Sequence, residues 1–139
     1  MKEKKKCLKC GKKFTQNRTY HLFCTTKCCN AYNKGKTWDN YYKKLLQNGK
    51  ARELLTPEIL LKLHEKQDGI CAMSGVKLTK ITGKGMVSTN ASIDRVNASG
   101  PYTEENIRLV CVFVNGFRNN LTDKDFVWWC NKIAEYNSG

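Results

Sequence analysis

ASIDRVNASGPYTEENIRLVCVFVNGFRNN, residues 91–120, is the stretch that decides the fold. Its first part, with Asn90 ahead of it, is a short strand ending near Asp94 and Arg95. A loop rich in turn residues follows, Asn97 to Asn106, with Gly100-Pro101 at its centre. Ile107–Cys111 is a second strand dominated by branched apolar residues, and Val112–Asn120 has the composition of a helix. Strand, long loop, strand and helix in that order predict an α+β chain.

Working outward, the segment upstream, GICAMSGVKL at residues 69–78, reads as another short strand, with a Gly83-Lys84-Gly85 loop after it. Downstream, LTDKDFVWWCNKIAEYN opens with a capping box, Thr122 with Asp125, and continues as a helix. Phe126, Trp129, Cys130 and Ile133 then share one face. That face is expected in the core, a dimer seam being the other reading. Ahead of the strands, Thr56 caps a helix with Pro57 at its first position, running through His64 to an Asp68-Gly69 turn. Before it, Trp38, Tyr41, Tyr42, Leu45 and Leu46 recur at helical spacing, and Gly49 ends that helix. The aromatic stripe reads as core in preference to a base-stacking platform.

The N-terminal segment carries a different chemistry. Cys7 and Cys10 stand at x2 spacing, thirteen residues intervene, and Cys24 and Cys28 follow at x3 spacing. Four thiolates in two short-spaced pairs suit tetrahedral zinc, and Gly11 permits the tight turn the first pair needs. Phe14 and Phe23 are the expected apolar floor. Cys29 adjoins Cys28 at the start of an expected helix and is left out of the ligand set, as is His21, read as a loop residue. The chain thus divides into a zinc module at 1–36, connecting helices at 37–69 and a mixed α+β half at 70–139.

Charge follows the same division. Of the net +13, residues 1–55 hold 15 basic against 3 acidic side chains, whereas residues 56–139 hold 10 against 9. Basic charge concentrated on one module and interleaved with Tyr20, Trp38, Tyr41 and Tyr42 is the footprint of a polyanion binder. Lys9, Lys12, Lys13, Arg18, Lys43 and Lys44 are the expected backbone contacts. Hydrophobic residues at 40% and charged residues at 27% suit a soluble globular chain, with no apolar run near the ~18 residues of a membrane span. Met1–Lys6 is basic but no apolar segment follows it, so a cytoplasmic location with reduced thiols is expected.

The run from Ala91 to Cys130, with Cys71-Ala-Met-Ser-Gly upstream, resembles the HNH superfamily of ββα-metal endonucleases, specifically phage-type members with arginine at the first histidine position. The likeness covers roughly residues 57–134. It rests on Asp94-Arg95, Gly100-x-Tyr102, Asn106 and Asn115-x2-Arg118 in order. The N-terminal cysteine pattern is similar to zinc modules of phage-encoded endonucleases and DNA-binding proteins. The resemblance implies hydrolysis of DNA phosphodiester bonds with a catalytic Mg²⁺ or Mn²⁺ held by Asp94 and Asn115. It also implies a loop-fastening role for Asn106, a phosphate contact from Arg118, a double-stranded DNA partner and, if phage-encoded, a bacterial host cell.

Three departures from the family pattern bear on mechanism. Arg95 occupies the place of the general base, and a guanidinium does not accept a proton, so its expected task is to steady charge on the phosphate. His64 is the one histidine outside the zinc module and is a candidate base if the chain folds it back, the alternative being a helix-surface histidine; Tyr102 is a weaker candidate. Two CxxC pairs that hold a second zinc in relatives read Cys71-x2-Ser74 and Cys111-x2-Val114, so Cys71 and Cys111 are expected as buried apolar residues. Third, Arg118 replaces a common lysine. Without a base the chain is alternatively a DNA-binding protein on a decayed scaffold. Oligomeric state is open: a monomer is expected to nick, a two-fold homodimer to cut both strands of a palindrome.

Overall fold

The computed structural model describes residues 4–15, 22–33 and 37–139, and the chain is mixed α+β. Arg18 and His21 lie outside the described residues. In the N-terminal module β1 (Lys4–Lys6) pairs antiparallel with β2 (Lys13–Thr15), and α1 (Thr26–Asn33) follows. The turn between the strands carries Cys7 and Cys10. Gly11 completes it at φ +73°, in the left-handed region that glycine adopts without steric cost. Phe14 and Phe23 are half-buried beside it.

Two helices come next. α2 (Trp38–Asn48) is capped by Thr37, whose hydroxyl accepts the Asn40 N–H, and α3 (Pro57–Lys66) by Thr56, which accepts from Ile59. Tyr42 and Leu60 are fully buried where the helices meet. Trp38, Tyr41, Leu45 and Leu46 pack against the same core, so the aromatic stripe of α2 is core.

That core continues without a break into the strands. β3 (Ala91–Arg95) pairs antiparallel with β4 (Ile107–Cys111), and α4 (Val112–Arg118) turns back over them. Ala91, Ile93, Leu109 and Val110 are at most 1% exposed. The free edge of β4 is satisfied by a side chain: the Gln67 amide donates to the Leu109 carbonyl and accepts the Leu109 N–H. Such pairing keeps a buried edge from leaving its backbone polar groups unmet.

Two expectations need correcting. Residues 69–78 do not form a strand. Gly69 and Gly75 adopt positive φ and fold the segment into a tight turn, closed by a single bridge between Ile70 and Lys77. The second concerns α5 (Asp123–Asn137), which begins at the expected cap, the Thr122 hydroxyl accepting the Asp125 N–H. Of its expected core face only Phe126 is buried; Trp129 and Ile133 are about half exposed and Cys130 is exposed. Beyond its second turn the helix leaves the layer that α4 and the strands provide. Among the described residues no helix is long and apolar enough to cross a membrane.

Candidate metal centre and polar cleft

The Sγ atoms of Cys7, Cys10, Cys24 and Cys28 lie within 4.8 Å of one another, with Cys10 to Cys24 at 3.5 Å and Cys24 to Cys28 at 3.7 Å. Tetrahedral zinc with bonds near 2.3 Å sets its sulfurs about 3.8 Å apart, so the donor set fits a structural zinc ion. Local geometry explains the convergence. The hairpin turn brings Cys7 and Cys10 together, and the Thr25 hydroxyl accepts the Cys28 N–H at the start of α1, fixing that cysteine over the turn. Burial pushes the Cys7 thiol up, but backbone N–H groups of Cys10, Cys24 and Lys9 outweigh it and bring it down to about 6. Hydrogen bonding with Cys10 is the largest cause that pushes Cys24 up to about 12. Cys7 thus favours the thiolate, whereas Cys24 favours the thiol whose proton a bound dication would displace. Cys29 is not in the cluster.

The second pair of cysteines is buried and lacks a four-ligand set. Cys71 Sγ accepts the backbone N–H groups of Ser74 and Cys111, at 3.4 and 3.3 Å. Burial is the largest influence on both thiols. It raises Cys111, whereas at Cys71 hydrogen bonds from Ser74 and Cys111 overcome it. Both side chains pack in the main core as expected.

The strand-helix unit forms a polar cleft of about 180 Å³, whose lining includes Asp94, Arg95, Tyr102, Asn115 and Arg118. Asp94 on β3 and Asn115 on α4, which packs against that strand, therefore line one space. The amide nitrogen of Asn115 donates to Ser92 Oγ at 2.7 Å and to the Ile93 carbonyl at 3.1 Å, which fixes the orientation of the amide. Arg95 donates to the Gly100 carbonyl at 3.0 Å and lies over the Tyr102 ring, 4.8 Å from its centroid.

Asn106 performs the expected fastening. Its amide donates to the carbonyls of Asn97 and Pro101 and accepts the Asn97 N–H, tying both limbs of the loop to the start of β4. A β-carbon at Gly100 would stand 2.7 Å from the Asn106 amide nitrogen, so this position requires glycine.

Asp94 and Arg118 depart from expectation. Asp94 is buried, and its two oxygens accept from Arg118 Nη1 and Arg108 Nε, each at 2.9 Å. Arg108 also forks onto Asp123, as does Arg118 through Nε. Two carboxylates and two guanidiniums thus close a neutral ring between β3, β4, α4 and α5. The Arg108 side chain is first among the groups that hold the Asp123 carboxyl below the usual range. Arg118 further donates to the carbonyls of Arg95 and Val96, and its side chain is 2% exposed. Its guanidinium is thus a buried strut inside the fold, although the residue also lines the cleft.

His64 is also placed elsewhere. Its Nδ1 is 2.8 Å from the Tyr42 hydroxyl, its ring lies tilted against Trp38 with centroids 4.2 Å apart, and its Nε2 faces Gly69. It is absent from the cleft lining, so the candidate base is corrected to a member of the aromatic cluster between α2 and α3. Burial lowers its pKa. Lys9, Lys12, Lys13, Lys43 and Lys44 are exposed, Lys43 in a surface pair with Asp39.

The residues that sequence reading missed are Arg108, Asp123, Ser92 and Arg52. Arg108 is the cross-strand partner of Asp94 in the register, a signal available once the two strands are aligned. Arg52 lies over the Tyr102 ring at 5.3 Å, and no local pattern marks it. No protein-family model matches the chain, and no curated protein and no solved structure matches it either.

Proposed function

We propose that the chain is a metal-dependent DNA endonuclease of the ββα-metal type, with a zinc-stapled basic module that grips the duplex and a cleft that hydrolyses the phosphodiester bond. The observation that carries this reading is that Asp94 and Asn115 line a single polar cleft. Both offer oxygen, the donor that hard divalent ions prefer. A carboxylate has about four lone-pair positions, and the two arginines bonded to Asp94 leave room for a further partner. Asn115 is held through its nitrogen alone, so its amide oxygen remains the available donor.

A Mg²⁺ or Mn²⁺ ion at these oxygens supplies Lewis-acid stabilisation of charge on the phosphate and the leaving oxygen. The chain's own residues do the rest. Arg95, fixed by the Gly100 carbonyl and the Tyr102 ring, presents permanent positive charge to the cleft and binds the phosphate as negative charge grows. It does not take a proton, and among the described residues no histidine lines the cleft. Exposed lysines of the N-terminal half neutralise flanking phosphates, which makes affinity fall with salt by about 0.9 log units per contact on a duplex.

A second reading is a DNA-binding protein on a decayed scaffold. It is favoured by one observation: both oxygens of Asp94 already hold arginines, a neutral arrangement that needs no cation. Supercoiled plasmid incubated with zinc-loaded protein, with and without Mg²⁺ or Mn²⁺, separates the two. Ion-dependent nicking that Asn115→Ala reduces at least a hundredfold, with its melting curve retained, supports the enzyme. Plasmid binding without nicking under either ion supports the binder.

A further inference from the structure

Arg52 stands on the segment between α2 and α3, remote in sequence from the cleft, yet its guanidinium lies over the ring of Tyr102, a cleft-lining residue. Arg95 lies over the same ring. Attraction between a cation and an aromatic face operates within about 6 Å, and 5.3 and 4.8 Å both qualify. Among the described residues neither guanidinium is in an ion pair; every arginine that is, Arg108 and Arg118, belongs to the neutral ring. Two like charges are therefore gathered on one tyrosine with no carboxylate between them.

Two local features act against this placement of Arg52, and one holds it there. Ala51 turns the chain at φ +57°, in the left-handed region that alanine seldom adopts. The Arg52 Nε is buried without a hydrogen-bond partner. Its Nη1 donates to the Leu45 carbonyl, the C-terminal part of α2, which fixes the side chain in place. A left-handed alanine and an orphaned N–H act against this arrangement in the free protein, and an anion bound by the guanidiniums would offset that cost.

We propose that Arg52 and Arg95, both stacked on Tyr102 at the rim of the cleft, form a paired-guanidinium clamp for a phosphodiester group of the bound DNA. The clamp rests on the DNA-binding part of the function proposed above and is independent of its chemistry. It gives Tyr102 the role of a platform: the ring sets the separation and orientation of two forks that each match phosphate oxygens. It also makes the α2–α3 connection part of the binding surface, through the contact of Arg52 with the cleft-lining Tyr102.

Gly49 supplies a test that moves the guanidinium while keeping its charge. A β-carbon there would stand 2.3 Å from Arg52 Cζ, Nε and Nη1, whereas the backbone at φ −97° and ψ 154° accepts alanine without strain. Gly49→Ala must therefore displace the guanidinium. Binding of a fluorescent 20-base-pair duplex is followed by anisotropy between 50 and 300 mM salt, with zinc-loaded protein and no Mg²⁺ or Mn²⁺. Arg52→Ala is expected to weaken binding about tenfold and to reduce the salt slope by about 0.9. Gly49→Ala is expected to weaken it several-fold, with little further loss in the double variant, and Lys132→Ala, the same charge change at the far end of α5, to have the smaller effect. Wild-type affinity and slope in both Arg52→Ala and Gly49→Ala would overturn the clamp, and so would equal losses in Arg52→Ala and Lys132→Ala. Because the measurement omits the catalytic ion, a protein that binds through the clamp but never nicks refutes the endonuclease alone.

Discussion

Replacing Asp94 by alanine should destabilise the protein more than it would at an ordinary metal ligand. The Asp94 side chain is 5% exposed and bonds Arg118 at 2% and Arg108 at 15% exposure. Asp94→Ala removes one of two carboxylates from a ring of four charges, leaving two guanidiniums facing Asp123 alone. Breaking a buried pair by deleting one partner costs about 3–5 kcal/mol. The lower end applies, because Arg118 keeps Asp123 and two backbone carbonyls. About 3 kcal/mol corresponds to a melting temperature lower by roughly 12 °C in a chain of this size. Asp123→Ala should lose only about 1 kcal/mol, since its side chain is 43% exposed and solvent screens its contacts. Urea titration followed by circular dichroism on zinc-loaded protein at pH 7 measures both, as midpoint shifts at constant slope. The account of the ring is refuted if Asp94→Ala stays within 1 kcal/mol of wild type, or if Asp123→Ala is the more damaging change. A consequence for enzymology follows: loss of nicking in Asp94→Ala does not by itself identify a metal ligand, and Asn115→Ala is the cleaner probe.

Zinc content should be one ion per chain, falling to none when any of Cys7, Cys10, Cys24 or Cys28 is changed to serine; Cys71→Ser and Cys111→Ser should leave it at one by atomic emission. Gly100→Ala should destabilise the loop by about 1–3 kcal/mol, because its β-carbon meets the Asn106 amide at 2.7 Å and must displace a satisfied group. Burial lowers the pKa of His64, so the unfolded chain binds the extra proton more readily. Its contribution to stability is complete above the unfolded value of about 6.5 and declines as pH falls below it. His64→Gln should flatten the stability profile between pH 7 and 5 while leaving any plasmid nicking in place; loss of nicking in a folded His64→Gln would restore it as a base.

The order of elements was legible because each depends on local signals. Thr56 and Thr122 cap their helices through their own hydroxyls, as a polar residue ahead of a periodic apolar run implies. The four zinc-module cysteines were legible for the same reason, their spacing being a property of two short turns. What escaped was non-local. Asp94 reads as an available ligand until the β3–β4 register sets Arg108 opposite it and α4 carries Arg118 back beneath it. The apolar face of α5 reads as core because periodicity shows which residues share a face and says nothing of what lies against it. The segment at 69–78 has strand-like composition, but the conformation of Gly69 and Gly75 overrides it.

Counting charges by segment also conceals the feature that matters most for binding. Residues 56–139 are nearly neutral, which by composition assigns all polyanion contact to the N-terminal half. Neutrality within this half is uneven, however. Asp94 and Asp123 compensate Arg108 and Arg118 inside the fold, so this ring adds no net charge to the cleft. Arg95 is left without a carboxylate partner at the cleft, and Arg52 joins it from the preceding connection through the shared Tyr102 ring. The cleft is therefore positive at its edge although the segment that forms most of it is balanced. On the proposed function, a phosphate of a duplex held by the exposed lysines would meet two guanidiniums already held in position. Fixing those two groups before binding removes part of the ordering entropy that association would otherwise require.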